Sequence, residues 1–201
     1  MTTTRKFPGP GSDQVLDALV DAVRACFVDD DSHGLKHAFN TLSVAMSIAD
    51  GMIESDNIDI DLHALAAAAL MHDIGRENIF SDPEHGERGA ERAEEILSKL
   101  DAPWDREKIM YLIAMHDREE IDSDSEPVEL IILRDADKLE LLRIGPGYLD
   151  LSRLVTLEAL ALVEEVLGWY DTGTREYREK AEKTIEWAGS LLAQRKSDPK
   201  T

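Results

Sequence analysis

Leu62-His63-Ala64-Leu65-Ala66-Ala67-Ala68-Ala69-Leu70-Met71-His72-Asp73 is the stretch on which the fold turns. It is alanine-rich, and its length and lack of strand-like alternation read as a helix over about 60–75. The small side chains let neighbouring helices approach closely, which puts this helix at the centre. Its far end carries a histidine and an aspartate. A carboxylate entering a core is costly unless it is paired or bound to a cation.

The chain reads the same way on either side. Valines and isoleucines recur at helical rather than alternating spacing. Amphipathic or apolar helices are predicted at about 13–28, 34–53, 84–100, 103–117, 127–143, 150–169 and 174–195. The fold class predicted is therefore all-α, a single bundle of about eight helices over 12–195. Residues 1–11 and 196–201 are expected to be flexible tails. Asp29 to Ser32 offers N-caps for the second helix, and Gly145-Pro146-Gly147 breaks the pattern after the sixth.

Composition narrows the function. The 42 acidic and 22 basic residues leave a formal charge of −20, which opposes a broad nucleic-acid surface or an anionic membrane. A small phosphorylated substrate remains compatible, because a few basic groups near a metal override the global field locally. Cys26 is the single cysteine, so no internal disulfide forms and a cytoplasmic address is expected. The first residues, MTTTRKFPGPGSD, lack the apolar run of a signal peptide. The longest uncharged apolar run, Ala64 to Met71, is too short to span a bilayer. The helices at 150–195 are expected to cover the core or to form a homodimer surface.

Helix phase sorts the six histidines. His37 shares a face with Thr41, Val44 and Ile48. His85 shares one with Gly89, Ala93 and Ile96, and His116 with Ile109, Leu112 and Ile113. Asp137 continues the stripe Leu130, Leu133, Leu141. Each therefore points inward. His63, nine residues before His72, lies half a turn away and is left out. In His33-Gly34-Leu35-Lys36-His37 the two histidines stand at i and i+4, and His33 is expected to line the pocket or touch substrate. Two inward carboxylates, Asp73 and Asp137, among several inward histidines are reconciled by a divalent metal. Nitrogen and carboxylate donors suit manganese, iron, cobalt, nickel or zinc.

The order His37, His72-Asp73, Asp137 resembles the HD-domain metal-dependent phosphohydrolase superfamily. Met71-His72-Asp73-Ile74-Gly75-Arg76 is similar to its central motif, and Arg134-Asp135-Ala136-Asp137-Lys138-Leu139-Glu140 to its later one. His85-Gly86-Glu87-Arg88-Gly89-Ala90 and the histidine of Ala114-Met115-His116 resemble the additional histidines of some subfamilies. The likeness covers about 33–142 and has the character of a stand-alone hydrolase. It implies a helical core in which His37, His72, Asp73 and Asp137 bind one metal. It also implies that His85 and His116 help to hold a second, with Asp73 bridging.

Asp135 lies on an apolar stripe with Val128 and Ile131 and is expected to orient a ligand. Asp73 and Arg76 are the expected catalytic pair. Asp73 holds metal and orients water. Arg76, one turn on, offers a guanidinium that matches phosphate oxygens. Lys36, Arg118 and Lys138 are further candidates for substrate, each next in sequence to an expected ligand. The reaction expected is hydrolysis of a phosphate ester or anhydride of a small, nucleotide-like substrate. The alternatives are a dinuclear-iron oxygenase of the same superfamily, or a nucleotide- or metal-binding module without turnover.

Overall fold

The helices are Gln14–Arg24 (α1), Leu35–Asp56 (α2), Leu62–Met71 (α3), His85–Leu97 (α4), Arg106–Met115 (α5), Val128–Glu140 (α6), Leu157–Ala161 (α7), Val163–Trp169 (α8) and Arg175–Ser197 (α9). They come from a computed structural model, in which residues 14–27, 34–78, 81–118 and 125–197 are described. Among the described residues there is no strand. The all-α expectation holds. His33, the 29–32 capping segment and most of the two expected tails lie outside the described residues.

Helix α3 is the axis of the bundle. Every residue from Ala64 to Met71 is buried. A helix apolar all round is stable only when it is covered on all sides, and α1, α2, α5 and α6 all pack on this one. Asp61 starts it, accepting a hydrogen bond from the Ala64 N–H at 2.9 Å. The Asp61 N–H in turn donates to buried Glu129 at 2.8 Å, which ties the start of α3 to α6.

Helix α3 stops at Met71, earlier than expected, and 72–75 form a turn. Gly75 explains how this turn meets α4. A Cβ there would lie 2.2 Å from both the His85 carbonyl oxygen and the Gly89 nitrogen. Helix α4 also approaches α5 closely, since a Cβ on Gly86 would lie 3.0 Å from the carbonyl oxygens of Ile113 and Ala114. These two contacts bring the ends of α3, α4 and α5 together.

The helix expected at 150–169 is three pieces. A 3-10 turn at Leu151–Arg153 leads into extended backbone at Leu154, and α7 and α8 follow. The cause lies in α6. Asp135, fully buried, accepts the Val155 N–H (3.0 and 2.9 Å), the Thr156 N–H (2.7 Å) and the Thr156 hydroxyl (2.9 Å). A carboxylate holding these backbone donors leaves them none for a helix through 154–156, and Thr156 N-caps α7 instead. The Gly-Pro-Gly break falls where expected, with Gly145 and Gly147 at φ of 146° and 88°. At the other end α9 runs to Ser197, two residues into the expected tail.

Candidate metal centre

Six side chains from five elements converge at the ends of α3, α4 and α5. His37 comes from the first turn of α2, and His72 and Asp73 from the turn after α3. His85 opens α4, His116 caps α5, and Asp137 lies on α6. All but Asp137 are buried. The Asp137 side chain is 35% exposed, so it marks the mouth.

The hydrogen bonds fix how the rings are used. Each Nδ1 faces an oxygen outside the cluster. His37 Nδ1 is 3.1 Å from Glu140 Oε2 and His72 Nδ1 is 2.9 Å from the Ala69 carbonyl. His85 Nδ1 is 2.5 Å from the Asp82 carbonyl and His116 Nδ1 is 2.7 Å from the Ile113 carbonyl. A carbonyl or carboxylate oxygen only accepts, so all four Nδ1 atoms carry the proton and donate. In the neutral form of each ring, Nε2 then holds the lone pair. This orientation, with the far nitrogen tied to an oxygen, is the one used by metal-ligating histidines.

The Nε2 atoms face one another and the two carboxylates. His37 Nε2 lies 3.1 Å from His72 Nε2 and 3.2 Å from Asp137 Oδ1, and His72 Nε2 lies 3.5 Å from Asp137 Oδ1. Asp73 Oδ2 is 3.7 Å from both rings. Asp73 turns its other oxygen to a second group. Oδ1 is 3.2 Å from His85 Nε2 and 3.9 Å from His116 Nε2, with the two Nε2 atoms 3.0 Å apart. Atoms bound to one ion at about 2.1 Å stand roughly 3.0–3.4 Å apart. Most of the spacings in each group fall in or near that window. Three sets, His37-His72-Asp73, His72-His116-Asp137 and Asp73-His85-His116, each place their donor atoms within 4.8 Å of one another. The residues therefore fit a divalent ion.

Their electrostatics show strong mutual attraction. Burial lowers the proton affinity of His37. Hydrogen bonds to Asp137 and Glu140 and the charges of Asp137 and Asp73 outweigh this and raise its pKa to about 9. Burial pushes the Asp137 carboxyl up, but His37 and His72 hold it well below the ordinary carboxylate range. Burial and the charge of His72 push His116 down to about 4.

Arg76 bends back over this cluster. Its Nε donates to Asp73 Oδ1 at 3.0 Å, and Nη2 lies 2.9 Å from His85 Nε2. The surface acids do not claim it, because Asp82 pairs with Arg88.

Other expected contributors lie elsewhere. Asp135 faces the 154–156 linker, so it pins backbone rather than orienting a ligand. Lys138 donates to the Arg153 carbonyl at 2.8 Å, on the same side as Asp135. Arg118 pairs with Glu87 and is half-exposed. Lys36 is exposed, and so is His63, whose ring meets Trp104 edge-on.

Four residues near the ligands had no expected role. Glu140 holds His37 Nδ1 and accepts from the Tyr170 hydroxyl, which Asn40 Nδ2 also bonds at 2.8 Å. Asp117 Oδ2 lies 3.2 Å from His85 Nδ1. Glu140 stands three residues after Asp137 and seven after Leu133, so helix phase alone would have found it. Tyr170, just past the end of α8, leaves no such signal.

A protein-family model described as the HD domain matches residues 34–142, just over half of the chain. Comparison with curated proteins and with solved structures returns no match.

Proposed function

The chain belongs to the HD-domain family, and from that premise we propose that it is a metal-dependent phosphohydrolase acting on a small, nucleotide-like phosphate ester or anhydride. One observation carries the reading: four histidines with Nδ1 already committed bring their Nε2 atoms together with the oxygens of two carboxylates.

His37, His72, Asp73 and Asp137 would hold one divalent ion. Asp73 Oδ1, His85 and His116 are a second group of donors beside it. An ion bound here supplies an activated water near neutral pH and offsets charge on phosphoryl oxygens. The chain's own residues do the rest. Asp73, with one oxygen toward each group, orients the attacking water. Arg76 brings a guanidinium to the phosphate. Glu140 fixes the His37 ring, and Asp117 and the Asp82 carbonyl fix His85. The exposed edge of Asp137 marks the side from which substrate enters.

The test pairs metal content with turnover of a panel of nucleotides and phosphate esters. The wild type is expected to hold divalent metal and to release phosphate or a phosphomonoester from at least one of them. His72→Ala and Asp73→Ala are expected to lose both properties. A wild type that holds metal but hydrolyses nothing in the panel would contradict the hydrolase assignment.

A further inference from the structure

The second group of donors already has a cation against it. Arg76 Nη2 is 2.9 Å from His85 Nε2, and Arg76 Nε is 3.0 Å from Asp73 Oδ1. These are two of the three atoms with which a second ion would bind.

The two uses exclude each other at His85. A neutral imidazole has one donor nitrogen and one acceptor nitrogen. His85 Nδ1 faces the Asp82 carbonyl at 2.5 Å and Asp117 Oδ2 at 3.2 Å, so Nδ1 carries the proton. Nε2 is left with a single lone pair. A guanidinium only donates, so Arg76 Nη2–H takes that lone pair. The same lone pair would have to face a metal. The conflict falls on His85, whose Nε2 has one lone pair only.

The backbone holds Arg76 in reach of this position. Its N–H donates to the Asp73 carbonyl at 3.0 Å, closing the turn after α3. Gly75, immediately before it, is packed against the α4 backbone at His85 and Gly89. The start of the side chain is therefore fixed relative to His85, while the side chain itself is 19% exposed and has a route to solvent. The guanidinium can leave by rotating its own bonds, without moving a helix.

We propose that Arg76 occupies the second cation position of this centre and so sets its ion count. The folded protein holds one divalent ion at His37, His72, Asp73 and Asp137, with the Arg76 guanidinium in the place of another. A second ion enters only when Arg76 swings out. A phosphoryl group bound at this centre would then meet one metal ion and one guanidinium rather than two metal ions. This rests on the reading of the first group as a divalent-ion site, and it adds a role for Arg76 in setting how many ions are held.

The experiment is equilibrium dialysis against Mn2+ alone, at a concentration that saturates the first site, with manganese counted per folded chain. The wild type is expected to hold about one ion and Arg76→Ala about two, since removing the guanidinium frees His85. Arg76→Met, which keeps the side chain's length but cannot donate, is expected to match Arg76→Ala and covers a folding loss in the shorter variant. Adding His116→Ala to either is expected to return the count to about one. A count of two in the wild type, or of one in both Arg76 variants, would overturn the role of Arg76 and leave the first site standing. A wild type that binds no manganese would instead overturn the metal reading itself, and this inference with it.

Discussion

A proton and a bound divalent ion would compete for the same nitrogen of His37. Burial disfavours its charge, but Asp137, Glu140 and Asp73 raise its pKa to about 9. At pH 7 the metal-free ring is therefore protonated at Nε2, the atom that would face the ion. Loading is expected to release about one proton per ion at pH 7, and apparent affinity should climb between pH 7 and 9 as the competing proton leaves. Calorimetry in buffers of different ionisation enthalpy reads the release; a heat independent of buffer would contradict it. Glu140 acts through the other nitrogen of the ring. Glu140→Gln is expected to weaken metal binding about 10–100-fold, read by competition with a chelator of known affinity. An unchanged affinity would show that the carboxylate does not hold the ring in place. At this scale the sequence was informative wherever a ligand continued a helix stripe, as His37, His116 and Asp137 do. It was silent on Tyr170, which reaches Glu140 only through tertiary packing.

Gly75 and Asp135 decide how the elements meet. Gly75→Ala would push a methyl group into the α4 backbone at 2.2 Å, with no flexible side chain to yield. Overpacking of this kind costs about 1–3 kcal/mol or more, and denaturant unfolding should register it. The α3–α4 contact must also open, so the His85 group is expected to lose its spacing. Asp135→Ala would leave the Val155 and Thr156 donors without their acceptor, at a cost on the order of 1–3 kcal/mol. Its metal content should stay at the wild-type level, because the carboxylate points away from the histidines. Loss of metal without loss of stability would restore the ligand-orienting role expected from its helix phase. Asp135 also shows why helix limits were only partly legible. The pattern at 150–169 is amphipathic throughout, and Thr156, an N-cap residue type, is a weak local mark of the break. The break is imposed by a carboxylate about twenty residues upstream, a contact that periodicity does not encode.

At the scale of the whole molecule, an apolar helix covered on all sides ends in a cluster of histidines and carboxylates whose attraction a cation completes. The class of fold and the inward face of each ligand followed from period and polarity alone, because burying α3 leaves a bundle few alternatives. The charge of −20 favours the approach of a divalent cation. Among the described residues, no helix is long and apolar enough to cross a membrane. An ion held by His37, His72, Asp73 and Asp137 would tie α2, α3 and α6 together and should stabilise the entire bundle. At a free concentration about 100 times Kd, binding contributes roughly 2.7 kcal/mol. For a chain of this size each kcal/mol moves Tm by about 2–4 °C, so chelation is expected to lower Tm by about 5–11 °C. A Tm indifferent to chelator and to added metal would mean that the cluster is held by its own hydrogen bonds.

If the convergent Nε2 atoms and carboxylates are a metal site, elemental analysis of the purified protein beside His72→Ala and Asp73→Ala will show it. The result expected is about one divalent transition-metal ion per wild-type chain, with almost none in either folded variant. A wild type without metal after incubation with manganese, iron, cobalt, nickel and zinc, or variants that retain as much as the wild type, would contradict it.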